Sequence, residues 1–193
     1  MNAYDFDGTV YAGDSSADFY RWCLRRYPAL VRYAPRQALA ALRYYAAKKG
    51  SKTEMKQVFF SFLRSVPVTD YLLKEFWDEH ENKLCAWYLR AKREDDVIIS
   101  ASPEFLLRPL MRRLGLQQLL ASRVEPDSGR FEWLNCHGEE KVLRFRARFP
   151  EAKIECFYSD RLSDTPMARQ ADSAVLVKNR DAQHADFTLW PKG

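Results

Sequence analysis

The stretch "AYDFDGTVYAGDSS", residues 3–16, sets the problem. It places two carboxylates, Asp5 and Asp7, two positions apart beside a Gly-Thr pair, just after a short apolar start. Like charges held that close oppose one another unless a cation or a shared proton relieves them. Residues 1–9 read as a short strand ending in a turn, with Gly8 permitting the sharp bend after the acids.

Outward from this stretch, three kinds of segment alternate. From about 15 to 93 the pattern is helical: Phe19, Trp22, Cys23 and Arg26 fall on one face, followed by Ala38–Leu42 with Tyr45, then Val58, Phe59, Phe62 and Leu63, then Leu72, Leu73, Phe76 and Trp77. Pro28, Pro35, Gly50 and Pro67 divide it into separate helices. The compact apolar run Val97–Ile99 suits a buried parallel strand. Ser102 is the expected cap of the helix that follows, with Pro103 at its first position, Gly115 as its stop and Pro109 as an interior kink. A turn at Asp127-Ser128-Gly129 between Ser122–Val124 and Phe131–Trp133 reads as a β-hairpin. "EEKVLRFRARF" is then helical, "KIECFYSD" a buried strand with a polar end, "DTPMARQA" a short helix and "SAVLVK" a last strand. Apolar strands alternating with helices imply a parallel sheet with crossovers, an α/β fold.

At 193 residues, 47% hydrophobic and 30% charged, the chain fits one globular domain carrying an insertion. No apolar run approaches the roughly 18–20 residues that span a bilayer. Asp5 and Asp7 fall where the apolar part of a secretory signal would have to lie, so a cytoplasmic location is expected. Cys23, Cys85, Cys136 and Cys156 are scattered and read as buried free thiols, and His80, His137 and His184 are isolated. Any metal should therefore be a hard, oxygen-bound one such as magnesium. Net charge is +5, but it is unevenly placed: residues 19–64 carry eleven Lys and Arg against the single acid Glu54, which leaves the remainder net acidic. That segment is read as meeting something anionic or as a solvated face.

In open α/β sheets, ligands bind beyond the carboxyl ends of the strands. Asp5 and Asp7, Ser100, and Asp160 with Asp164 occupy those ends, and Lys141 opens the helix before the third strand. Clustered carboxylates call for a divalent cation, and magnesium brings phosphoryl oxygens with it. Asp5 then suits an in-line nucleophile, Asp7 a general acid and base, and Ser100 with Lys141 the ligands of the equatorial phosphate oxygens.

"DFDGT" (5–9), "VIIS" (97–100), Lys141 and "YSDRLSD" (158–164) resemble the four ordered motifs of the haloacid-dehalogenase-like phosphatases. "GDSSADF" (13–19), "SASPEFLLRPLMRRLG" (100–115), "CHGEEKV" (136–142) and "SDTPM" (163–167) resemble the phosphoserine-phosphatase-like branch. The resemblance covers about 1–18 and 92–180. It implies a Rossmann-like core formed by 1–14 and 92–193 with a helical cap inserted at 15–91, and a magnesium-dependent phosphomonoesterase that forms an aspartyl-phosphate. It assigns Asp5 as nucleophile, Asp7 as acid and base, and the Asp5 carboxylate, the Asp7 carbonyl and Asp160 to the metal, with Asp164 in support. It places Ala101 beside Ser100 at the phosphate, Ser163 where an asparagine often meets phosphate, and Asp14 where an acidic residue meets the substrate amine. Asp14 reads equally as a helix cap. Ala101-Ser102 replaces the usual glycine pair, and Ser159-Asp160 the usual Gly-Asp. The basic segment is similar to the lipid-phosphatase members, the C-type phosphatidylglycerophosphatases, without their strongly apolar cap segment.

The expected partner is a small phosphorylated substrate, a metabolite or a lipid head group. For the basic segment, an anionic membrane surface ranks ahead of nucleic acid. A phosphotransferase or a nucleic-acid end phosphatase is the enzymatic alternative. A non-catalytic anion-binding module is the other, and the intact Asp5, Asp7, Lys141 and Asp160 count against it.

Overall fold

In the computed structural model, which describes residues 1–191, six strands form one sheet. They are β1 (Ala3–Tyr4), β2 (Val97–Pro103), β3 (Gln118–Ser122), β4 (Ile154–Ser159), β5 (Ala171–Asn179) and β6 (Ala185–Leu189), in the order β3-β2-β1-β4-β5-β6. All neighbours are parallel except β5 and β6, which pair antiparallel. The shortest strand is central: Ala3 and Tyr4 pair with Val97 and Ile98 on one side and with Phe157 and Tyr158 on the other. The strand order reverses on either side of β1, so a crevice opens at its carboxyl end.

Between β1 and β2 lie α1 (Ser15–Arg26), α2 (Ala34–Tyr45), α3 (Lys52–Phe60), α4 (Asp70–His80) and α5 (Ala86–Ala91). The aromatic residues of this segment share one apolar cluster with the sheet: Tyr4 and Phe6 join Phe19, Trp22, Phe62, Phe76 and Trp77, then Ile98 and Leu107. Trp77 satisfies its indole by donating Nε1–H to the Leu106 carbonyl at 2.7 Å. Capping begins the helices where the sequence changes character. Ser51 and Glu54 form a reciprocal capping box on α3, and Thr69 caps α4 by accepting from Leu72 N. Ala38–Leu42 with Tyr45 are helical as expected, but α2 buries none of its residues, and Leu39, Leu42 and Tyr45 lie in solvent. No helix of the described residues is long and apolar enough to cross a membrane.

After β2 come α6 (Glu104–Arg113), α7 (Glu139–Arg148) and α8 (Thr165–Ala168). A second apolar cluster of Ala3, Val97, Ile99, Phe145, Ile154, Phe157 and Met167 fills the opposite side of the sheet. Pro109 lies inside α6 as expected, and Gly115, at φ +71°, follows the helix end.

Several expectations need correction. Residues 118–122 form a sheet strand parallel to β2, so only Val124 and Phe131 form a hairpin-like bridge around the expected turn. β5 is not the last strand, because β6 returns along its edge. Ser102 does not cap a helix: β2 runs through it, and α6 starts at Glu104. Of the four free cysteines, Cys23, Cys85 and Cys136 are buried, while Cys156 is only partly so.

Gly129 holds the turn of residues 125–130 against α3. Its φ is +73°, and a Cβ there would stand 2.2 Å from the Phe60 carbonyl oxygen. Gly129→Ala should therefore displace either the turn or the end of α3 and lower the melting temperature by several degrees, read by circular dichroism. An unchanged transition would show that the two segments are not locked together.

Candidate active site

The loop after β1 is a tight knot of backbone hydrogen bonds. The Phe6 carbonyl accepts from Val10 N and Tyr11 N, both at 2.9 Å, and Gly8 N donates to the Tyr11 and Gly13 carbonyls. Asn179, at the end of β5, donates Nδ2–H to the carbonyls of Gly8 and Thr9, each at 2.7 Å. Asp5 remains in register with the sheet, its N–H on the Tyr158 carbonyl at 2.8 Å. The two acids are therefore fixed by backbone that has little freedom to rearrange.

Lys141 stands in the first turn of α7 and is fully buried. Its Nζ donates to Asp5 Oδ1 at 2.8 Å and to Asp164 Oδ2 at 2.6 Å. Asp164 is in turn held by the Ser159 hydroxyl at 2.8 Å. A buried ammonium is tolerated only when paired in this way. Burial opposes its charge, but the two facing carboxylates outweigh that and raise the Lys141 pKa above the usual lysine range. Burial pushes Asp5 up to about 7 against the pull of Lys141, with Asp164 and Asp160 adding to the rise.

Asp7 points elsewhere. Its Oδ1 accepts from Ser15 N at 2.6 Å and its Oδ2 from the Ser102 hydroxyl at 2.5 Å. Burial, then the charge of Asp14, pushes Asp7 up to about 6, partly offset by these two donors. Such a carboxyl holds its proton nearer neutrality than a solvated aspartate does. A break in the β2–β3 register between Ser100 and Pro103 lets the strand end turn inward, where Ser102 N donates to Ser100 Oγ at 3.0 Å.

The structure brings together Asp5, Lys141 and Asp164 by direct contact, and Asp7 with Ser100 through Ser102. Ala101 follows Ser100, its carbonyl accepting from Lys56 Nζ at 2.8 Å. Asp14 is exposed and caps α1 through Ala17 N at 2.9 Å, so the capping reading holds, while its charge still reaches Asp7. Ser163 lies exposed in the short turn Leu162–Asp164, next to Asp164 in the chain, and its side chain makes no hydrogen bond to the described residues.

Three site-facing residues escaped the sequence reading. Ser102 was masked by its plausibility as a cap. Asn179 lies beyond every recognised motif. Lys56, on α3, reaches Ala101 with its pKa lowered by burial. Lys52, one turn earlier, is pushed down to about 8 by burial and by the charge of Lys56. Burial, with Lys52 next, also lowers His137 to about 4, which leaves its imidazole neutral.

The donors suit a hard cation. Asp160 Oδ1 is buried without a hydrogen-bond partner among the described residues, an orphan that a cation would satisfy. Asp160 packs against Gly8, where a Cβ would stand 2.4 Å from its Oδ2. Among the described residues no three His, Cys, Asp or Glu side chains gather to hold a metal by themselves. With the Asp7 side chain committed to Ser15 and Ser102, its contribution is restricted to the backbone carbonyl. Two carboxylates and a carbonyl, with other positions left to water and phosphate, match the habit of magnesium.

Gly8→Ala is thus expected to push Asp160 out of place, all the more because Gly8 has φ +78°. Activity should fall steeply while the melting temperature changes modestly; a fully active variant would remove Asp160 from the site.

Ser102→Ala deprives the Asp7 anion of a donor, so the Asp7 pKa should climb further. If Asp7 supplies a proton, the alkaline limb of the kcat profile moves to higher pH; an unmoved limb would mean that Asp7 does not govern it.

Residues 3–169 match the haloacid dehalogenase-like hydrolase family. The chain is 30% identical over 191 residues to the protein CicA of Caulobacter vibrioides, covering 88% of this chain and 82% of that one. Its fold is similar to that of a solved Bordetella pertussis protein of unknown function, with a TM-score of 0.71 and 22% identity over 91% of this chain and 88% of that one. A phosphoserine phosphohydrolase-like protein from Francisella tularensis is also similar, with a TM-score of 0.54 and 16% identity over 91% and 87% of the two chains. With the matched span running from β1 through α8 and taking in every carboxylate of the site, this chain belongs to the haloacid dehalogenase-like hydrolases.

Proposed function

We propose that this hydrolase is a cytoplasmic, magnesium-dependent phosphomonoesterase working through an aspartyl-phosphate on Asp5. The observation that carries the reading is the Asp5–Lys141–Asp164 contact at the carboxyl end of β1. Lys141 takes Oδ1 of Asp5, and no hydrogen bond of the described residues uses Oδ2. Magnesium would be held by Asp5, Asp160 and the Asp7 carbonyl, with Asp164 supporting through Lys141, and it would neutralise charge on the phosphoryl oxygens.

Asp5 attacks phosphorus in line, forming the Asp5 O–P bond as the ester P–O bond breaks. Asp7 gives its proton to the departing oxygen, so the leaving group departs as a neutral alcohol. Water then attacks the same phosphorus while Asp7 takes its proton. The Asp5 O–P bond breaks, releasing inorganic phosphate and restoring the carboxylate. The Ser100 hydroxyl and the Lys141 ammonium stabilise charge on the equatorial oxygens, with Ala101 beside them. Ser163 and Asp14 are the outer candidates for substrate contact, as the family resemblance implies.

The substrate we propose is a small phosphorylated metabolite or lipid head group. Lys52 and Lys56 stand on the side of the inserted helices, where the anionic oxygens of a substrate would favour their charged forms against burial, and the phosphohydrolase-like fold of the Francisella protein agrees with a small phosphate ester. A panel of phosphoserine, sugar phosphates, nucleotides and phosphatidylglycerophosphate tests this. Release of phosphate should stop with a chelator, return with magnesium and fail with calcium, whose looser shell misplaces the nucleophile. Undiminished turnover in chelator would refute the magnesium assignment.

A further inference from the structure

The outer helix α2 is built the wrong way round for an ordinary surface helix. Pro35, Ala38, Leu39, Leu42 and Tyr45 recur at the spacing that lines one side of a helix. That side should face a core, yet Leu39 is 66% exposed, Leu42 62% and Tyr45 59%, and Val31 in the preceding turn is 62% exposed. α2 is held to α3 from its other side, where Gln37 donates Nε2–H to the Phe59 carbonyl at 2.8 Å.

The stripe is rimmed by unpaired cations. Arg21 and Arg26 are matched by Asp18 and Glu75, whereas Arg36, Arg43, Lys48 and Lys49 are exposed and have no carboxylate partner among the described residues. A groove of about 400 Å³ runs between α2 and α3, with Arg36, Arg43 and Lys49 on its walls beside Leu39, Met55 and Val58. Its one acid, Glu54, accepts from the Ser51 backbone at 2.7 Å.

We infer that this face docks on an anionic lipid bilayer, with α2 lying in the interface plane, its leucines among the acyl chains, and its two arginines together with Lys48 and Lys49 just beyond its end among the phosphates. An apolar stripe bordered by Lys and Arg is the chemistry of an interfacial helix. A second copy of the chain would bring two cationic rims face to face. Nucleic acid would use the cations but leave Leu39, Leu42 and Tyr45 in water. Of these three occupants the bilayer alone satisfies both the charge and the apolar surface, and the helix lies on it rather than crossing it.

The test is flotation of the full chain with vesicles of phosphatidylcholine alone or with added phosphatidylglycerol, at low and physiological salt. Binding should require the anionic lipid and weaken with salt. Leu39→Gln with Leu42→Gln should cut it about tenfold, as expected from lost apolar burial. Arg36→Glu with Arg43→Glu should abolish it. All four positions are exposed, so both variants should keep the wild-type melting temperature and hydrolyse a soluble phosphate ester normally. Equal vesicle binding by wild type and the leucine variant would overturn the inference. So would absence of vesicle binding, whether the same substitutions then disrupt a dimer in sedimentation velocity, disrupt an oligonucleotide gel shift, or change nothing.

Discussion

Asp5→Asn should abolish phosphate release, lowering kcat by roughly a thousandfold or more, as loss of a covalent nucleophile does. The substitution keeps the shape of the side chain and leaves Lys141 its second carboxylate, Asp164, at 2.6 Å. Melting temperature and far-ultraviolet spectrum should therefore stay close to wild type. This contrast separates chemistry from folding: a variant that unfolds would say nothing of the nucleophile, whereas a folded variant retaining a tenth of the activity would exclude Asp5 from that role.

Lys141→Met should produce the largest loss of stability. Asp5 and Asp164 would both remain buried without their cation, and breaking a buried pair by removing one partner costs about 3–5 kcal/mol. The deficit, read from urea unfolding of the metal-free protein, should depend on pH. Burial already holds Asp5 at about 7, and removing the opposing charge of Lys141 raises it further. The folded variant thus binds protons more tightly than its unfolded chain, so it regains stability as pH falls below that raised value and loses it as pH rises through it. The gap to wild type should be widest above the variant's raised value and narrow as pH falls to about 7, where Asp5 of the wild type takes up its own proton. A deficit that is the same across that range would mean that lost packing, not uncompensated charge, is responsible.

Most of the sheet was legible because its strands carry contiguous apolar residues that end in polar ones. Val97–Ile99 and the strand ending at Ser159 announce themselves in this way, and the polar residues that follow them, Ser100 after the first and Asp160 after the second, fall at the crevice. Gln118–Ser122 did not, since Gln, Leu and Ala favour helix and only pairing with β2 makes the segment a strand. β6 was hidden for a different reason: it lies on the sheet edge with most of its residues exposed, so no buried face imposes an alternation. The candidate site divides similarly. Asp5, Asp7, Lys141 and Asp160 stand in recognisable motifs, but the roles of Ser102, Asn179 and Lys56 arise from distant segments meeting in space. The exposed stripe of α2 was legible as a periodicity, though periodicity alone cannot say whether the partner lies within the chain.

The central claim is the covalent intermediate on Asp5, and acid-quenched single turnover with a ³²P-labelled phosphate ester addresses it directly. Label should appear on the wild-type chain within the first turnover, map to the peptide containing Asp5, be released by hydroxylamine as an acyl phosphate is, and be absent from the folded Asp5→Asn variant. Rapid release of labelled phosphate with no label on the protein at any quench time, or label that maps to another residue and survives in Asp5→Asn, would contradict it.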